Sequence, residues 1–243
     1  MTTYRAWNLK PLDRSALKEL TAAIAQQNTE ELESRAMETM DGEPWSEEKY
    51  QMTLAAQQKE AGLLAGILAA RGITDPAEAL TLLSGEEELT DPMLLTDMDK
   101  ACARILQAID NEETIVVFGD YDVDGVTATA LLYQHLKGMG ANVKCMLPSR
   151  EGDGYGLSKN AIQSIYDKGC RLIVTVDNGI AAIEEAEFAA SLGVDLIVTD
   201  HHLPHEVLPK AVAVVDPRRA DDTSPFKGLC GAGVAFKLCA ALD

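Results

Sequence analysis

The sequence predicts an α/β fold: a parallel five-stranded sheet flanked by helices, with a helical N-terminal region ahead of it. Three observations predict it. From about residue 113, short apolar runs rich in β-branched residues alternate with helix-length segments, as in parallel sheets built from right-handed crossovers. Before that point, apolar residues recur at helical spacing. Several of the apolar runs end in Asp or His, and the carboxyl ends of parallel strands are where such sheets bind ligands.

The helical region, expected over residues 1–110, begins with a stripe of Leu17, Leu20, Ala23 and Ile24 behind Ser15 as a helix cap. Met40-Asp41-Gly42-Glu43-Pro44 breaks the pattern. A second helix is predicted from Ser46 to Ala70, with Leu54, Ala61, Leu64 and Ile67 on its apolar face. Asp75-Pro76 opens a short helix with Pro in its first turn. Asp91-Pro92 marks another boundary, and Thr96 to Ile109 reads as a helix packing Met98, Ala101, Ile105 and Ile109.

The sheet region, expected over 111–243, has strands near 114–118, 142–147, 171–176, 195–199 and 211–215. Helices are expected near 125–138, 158–168, 180–192 and 231–242. A strand order of 2-1-3-4-5 makes the first, third and fourth strands neighbours and brings their ends together beside the switch point.

Composition narrows the function classes. No apolar run is long enough to span a membrane, and the N-terminus lacks a basic-then-apolar leader pattern. Cys102, Cys145, Cys170, Cys230 and Cys239 form no CxxC pair, which fits reduced thiols in a cytoplasmic protein. Cys145 in a strand and Cys239 in a helix are expected to pack as small hydrophobes. The net charge of −18 argues against nucleic acid at first sight. Much of that acid lies in solvated runs such as 30–33, 47–48 and 86–88, and acid inside a metal site is offset by the ions it holds.

The chemistry concentrates in three clusters. Asp120, Asp122 and Asp124 alternate after Ile115-Val116-Val117-Phe118. In an extended segment they share one side, where three like charges repel unless a cation neutralises them. Hard carboxylate oxygens suit Mg²⁺ or Mn²⁺. Asp124 also sits where it could cap the next helix, but capping needs one Asp, not three. An EF-hand would need Glu at its twelfth position, which is Leu131 here. A haloacid-dehalogenase-type phosphatase would leave the third cluster unused. The second cluster is Asp177-Asn178-Gly179, which alone reads as a turn. Its place at a central strand end lets Asp177 bridge two cations. The third is Asp200-His201-His202; adjacent side chains diverge, so the two imidazoles need not share an ion. Arg150 either holds a phosphate bidentately or simply ends the second strand. His205, Arg218 and Arg219 are expected at the surface.

These segments resemble the first three motifs of the DHH phosphoesterase superfamily. Within it, they are most similar to the RecJ family of single-strand-specific 5′→3′ DNA exonucleases. Pro148-Ser149-Arg150, Gly154-Tyr155-Gly156-Leu157, Leu229 to Phe236 (with Ala232 in place of a usual Val), and Arg71-Gly72-Ile73 with Pro76 strengthen that resemblance, which is close from about residue 70 onward. The resemblance implies two-metal phosphodiester hydrolysis of single-stranded DNA in repair and recombination, with Mn²⁺ or Mg²⁺ as two ions in the complete enzyme. It makes Asp120, Asp122, Asp124, Asp177 and His201 metal ligands. His202 becomes the catalytic group facing substrate, Asp200 its orienting partner, and Arg150 a substrate contact. It also implies a fourth-motif Asp and a nucleic-acid clamp domain, so the chain is expected to be an N-terminal segment with weak activity alone. Replication or repair proteins are the implied partners. The alternatives are another DHH phosphodiesterase acting on short oligonucleotides or cyclic dinucleotides, or a non-catalytic scaffold.

Overall fold

The computed structural model describes residues 13–37, 45–85, 89–148 and 156–243. It divides into two compact units, residues 1–89 and 90–243. The division comes well before the 110/111 boundary expected from the periodicity, because residues 90–110 pack with the sheet.

The first unit contains α1 (Arg14–Met37), α2 (Glu47–Ala70) and α3 (Pro76–Ser84). Leu20, Ile24, Ala61, Ala65, Leu68 and Ala79 form its core. Asp13, not Ser15, caps α1: its carboxylate accepts from the Ser15 N–H at 2.8 Å. Ser46 and Asp75 cap α2 and α3 through their side chains. Ile67 is exposed and Leu68 takes the buried place, one residue on from the expected register. The expected break at 40–44 lies outside the described residues.

The second unit begins with a 3₁₀ turn (Pro92–Leu94) capped by Asp91, followed by α4 (Met98–Asp110). β1 (Ile115–Phe118), β2 (Val143–Met146), β3 (Leu172–Val176), β4 (Asp195–Thr199) and β5 (Ala213–Val215) form one parallel sheet in the order β2-β1-β3-β4-β5. The expected order is therefore observed. Between and after the strands run α5 (Val123–Gly138), α6 (Lys159–Asp167), α7 (Ile183–Ser191) and α8 (Gly231–Leu242).

The sheet is buried on both faces, which explains why β1 and β3 are continuous apolar runs. On one face Ile115, Val117, Leu172, Val174 and Ile197 pack against α4, α5 and α8. On the other, Val116, Phe118, Ile173, Leu196 and Val198 pack against α6 and α7. Alternate residues of each strand thus serve opposite layers. β2 is an edge strand, and Cys145 on it is exposed instead of packed, while Cys239 in α8 is buried as expected. Among the described residues no helix is long and apolar enough to cross a membrane.

Candidate metal centre

Each acidic cluster is positioned by the sheet beside it. The Gly119 N–H continues the ladder to Met146 O, the Asp177 N–H donates to Thr199 O, and the Asp200 N–H donates to Val215 O. The backbone is therefore held in register just past the strand ends, so the side chains at 120, 177 and 200 leave the sheet from fixed points. Asp177 adopts a left-handed backbone (φ +61°), which turns the chain sharply after β3. Asp and Asn tolerate that conformation better than most residues.

Asp122, not Asp124, is the N-cap of α5, accepting from the Gly125 N–H at 2.8 Å. Asp124 instead reaches across to α8. Its two oxygens accept from the Gly231 and Ala232 N–H groups at 2.7 and 2.8 Å. Glycines make these approaches possible. A Cβ on Gly125 would lie 2.6 Å from the Asp120 Cβ, and one on Gly231 would collide with the Asp177 carboxylate.

Two groups of ligand atoms result. Asp120, Asp122 and Asp177 offer oxygens within 4.8 Å of one another; so do the ligand atoms of Asp177, His201 and His202. Asp177 belongs to both. The two imidazoles stay close, with ring centroids 4.5 Å apart, so their side chains do not diverge as the sequence suggested. Asp124 falls outside both groups, 3.6 Å from His201 Nε2. Arg150 lies outside the described residues.

The electrostatics fit a cation. Asp120 Oδ2 and Asp177 Oδ1 are buried without a hydrogen-bond partner. His201 Nε2 approaches Asp177 Oδ1 to 3.0 Å but lacks hydrogen-bond alignment. Burial, then the negative charges of Asp124 and Asp122, push the Asp177 carboxyl up to about 7. Burial would also raise Asp124, but the Ala232 and Gly231 N–H groups, the Cys230 thiol and His201 bring it below the usual carboxylate range. A divalent cation would satisfy the orphaned oxygens and relieve the repulsion at Asp177, and the carboxylate oxygens of Asp120, Asp122 and Asp177 are hard donors that suit Mn²⁺ and Mg²⁺.

Asp200 is buried and does not face the ligand groups as a donor. Its Oδ2 accepts from the Ile180 N–H at 2.9 Å. Its Oδ1 accepts from the His201 and His202 N–H groups and lies 2.7 Å from His202 Nδ1. Burial is the largest single influence and would lower the His202 pKa, but the bond to Asp200 together with the negative charges of Asp200, Asp177 and Asp216 outweighs it, and the net direction is upward.

Sequence reasoning missed Asp216. It follows β5 as the other acids follow their strands, is fully buried, and has an Oδ2 without a partner. Burial is the main cause that pushes its carboxyl up to about 7. The signal was available: Ala213-Val214-Val215 ends in an Asp just as β1, β3 and β4 end near theirs. His205 and Arg218 are exposed as expected. Arg219 is not: it is 8% exposed, bound to Asp97, Asp221 and the Val214 carbonyl.

The family model described as the DHH family, N-terminal domain, matches residues 114–243. The chain belongs to the DHH family. It is 44% identical over 192 residues to the single-stranded-DNA-specific exonuclease RecJ of Bacillus subtilis (strain 168), covering 78% of this chain and 24% of that protein. It is 40% identical over 181 residues to the RecJ exonuclease of Escherichia coli (strain K12), covering 74% and 31%. The solved structure of RecJ in complex with Mn²⁺ from Thermus thermophilus superposes with a TM-score of 0.59 at 31% identity, covering 74% of this DHH chain and 25% of that one. The DHH chain thus spans about a quarter to a third of the length of these relatives.

Proposed function

We propose that this DHH chain carries the catalytic site of a cytoplasmic exonuclease that hydrolyses single-stranded DNA from its 5′ end, with Mn²⁺ or Mg²⁺, in DNA repair and recombination. The observation that supports it most is Asp177, a buried carboxylate shared by two ligand groups and left with a partnerless oxygen. The exonuclease names of the relatives give the substrate class.

Asp120, Asp122 and Asp177 would hold one ion; Asp177 and His201 would hold the other, with Asp124 beside them. When bound, the cations supply an activated water and stabilise charge on the phosphoryl oxygens. Asp200 holds His202 through Nδ1, which leaves Nε2 on the far side of the ring to carry a proton to the departing oxygen. Asp200 is a positioning residue: with its other oxygen tied to Ile180, it keeps that ring orientation and favours the protonated imidazole. Arg150 would hold a neighbouring phosphate.

The test is digestion of 5′-labelled single-stranded DNA by the full-length protein in Mn²⁺. Release of labelled nucleotides is expected, falling by about 10³-fold in Asp177→Ala, the scale of losing a central electrostatic group. Cleavage of cyclic dinucleotides but not of DNA, or equal rates with and without metal, would overturn the proposal.

A further inference from the structure

Cys230 is a polar group beside the centre that the proposed reaction leaves unused. It is exposed and stands at the N-cap of α8, where its sulfur accepts from the Gly233 N–H at 3.4 Å. Its thiol hydrogen is given to the Asp124 carboxylate. A thiol is thus bonded directly to an acid that borders the ion position of Asp177 and His201.

A second observation, independent of the thiol, shows what this side of the centre lacks. Asp177 is 1% exposed, and its Oδ1 has no hydrogen-bond partner. That oxygen faces the start of α8: a Cβ added to Gly231, the residue after Cys230, would lie 2.4 Å from it. His201 Nε2 stands 3.0 Å from the same oxygen and 3.6 Å from Asp124 Oδ2. The orphaned oxygen, the imidazole nitrogen and Asp124 therefore converge next to Cys230. In this arrangement the sulfur lies outside both groups of ligand atoms. Cys has a single side-chain torsion to turn, and its exposure leaves it room.

Cations differ in how they use such donors. Mn²⁺ and Mg²⁺ favour hard oxygen and gain little from sulfur, whereas Zn²⁺ binds thiolate and imidazole strongly and takes four ligands tetrahedrally. Two carboxylates, one imidazole and one thiolate make such a set. We infer that Cys230 is a reserve ligand that gives the centre a Zn²⁺-binding state distinct from its Mn²⁺ or Mg²⁺ state. With Zn²⁺ on the His201 side, the thiol releases its proton to solvent, leaves Asp124 and bonds the metal through sulfur. It there joins Asp124, Asp177 and His201. With Mn²⁺ or Mg²⁺ it remains a thiol bonded to Asp124. The inference rests on the metal-centre reading for the position of the ion. It makes Cys230 a determinant of which cation the centre keeps, not a group in the hydrolytic step.

Alkylation of the full-length protein by iodoacetamide, mapped by peptide mass, tests it. Cys145 on the edge strand is the other exposed thiol among the described residues and serves as the internal control. Saturating Zn²⁺ should slow alkylation of Cys230 by about 10-fold or more and leave Cys145 unchanged, and Mn²⁺ should slow neither. Co²⁺, standing in for Zn²⁺, should add sulfur-to-metal absorption in the near ultraviolet. Cys230→Ser keeps a helix-capping side chain, so α8 stays capped. It should weaken that absorption and lower Zn²⁺ affinity by about 10- to 100-fold, while Mn²⁺ binds as before. Unprotected Cys230 in saturating Zn²⁺, or cobalt–sulfur absorption no weaker in Cys230→Ser, overturns the inference. If calorimetry shows Mn²⁺ binding but Zn²⁺ leaves Cys230 unprotected, the thiolate ligand alone falls. If neither ion binds, the metal-centre reading falls with it.

Discussion

Two sets of buried carboxylates in the sheet unit behave in opposite ways. At the metal centre, Asp177 and the nearby Asp216 are pushed up to about 7. In the loop after β5, Asp222 is also buried, yet its carboxyl is brought down to about 2. Burial raises all three, so burial does not distinguish them. The difference is in the partners. Asp222 accepts from the Lys227 ammonium, the Ser224 hydroxyl and the N–H groups of Thr96 and Ser224. Asp97 likewise receives Lys100, Arg219 and the Val214 N–H. Asp177 receives no side-chain cation with hydrogen-bond alignment and faces Asp122 and Asp124. A carboxylate supplied with donors staples the loop to the body of the unit; a carboxylate denied them calls for positive charge from outside.

The largest test of this contrast is at Asp177 without metal. Its folded pKa of about 7 lies above the unfolded value of about 4. The stability linked to the protonated form is therefore complete below about pH 4 and lost as pH rises through 7. In chelator at pH 8, Asp177→Asn should be more stable than wild type by on the order of 3 kcal/mol, and its melting should vary less between pH 4 and 8. Asn also suits the left-handed backbone at this position. Adding Mn²⁺ should stabilise the wild type and leave Asp177→Asn nearly unchanged. A variant that melts below wild type at pH 8 in chelator would show that Asp177 is not strained by charge.

Asp222 should show the reverse sign. Its folded pKa is depressed, so its contribution is complete above about pH 4 and disappears as pH falls towards 2. Asp222→Ala should cost about 2 kcal/mol at pH 7, independent of Mn²⁺, and less at pH 2.5. Urea unfolding at the two pH values measures it. A metal-dependent loss would erase the distinction between staple and site.

The smallest effect is expected at Asp124, which stands between the two classes. It carries negative charge into the site but already has two N–H donors from the start of α8. Asp124→Ala should destabilise the metal-free protein by about 1 kcal/mol, the usual cost of removing a helix cap. Thermal melting in chelator reads this directly, and a stability gain would place Asp124 with Asp177 instead.

The architecture was largely legible because parallel-sheet strands buried on both faces are written as continuous apolar runs, and β1, β3 and β4 are such runs. β5 was legible in place though shorter than expected, and its terminal Asp216 passed unnoticed because no second acid or His follows it directly. Arg219 was read as a surface residue because its partners Asp97 and Val214 come from other segments. Ile67 and Leu68 exchanged roles because neighbouring apolar residues in a long helix leave the buried register ambiguous.

By itself the sequence determined the order of strands and helices, the three clusters of acid and imidazole, and the family to which they belong. Those properties are local: they depend on period, residue type and short spacing. Tertiary structure alone decided which carboxylates share a site and which are neutralised. It chose Asp122 for the α5 cap, tied Asp124 to an α8 more than a hundred positions away, and left Asp177 and Asn178 with unmatched oxygens. The reason is that a charge's fate in a protein depends on the donors and the solvent around it, and these are brought together only when distant segments pack.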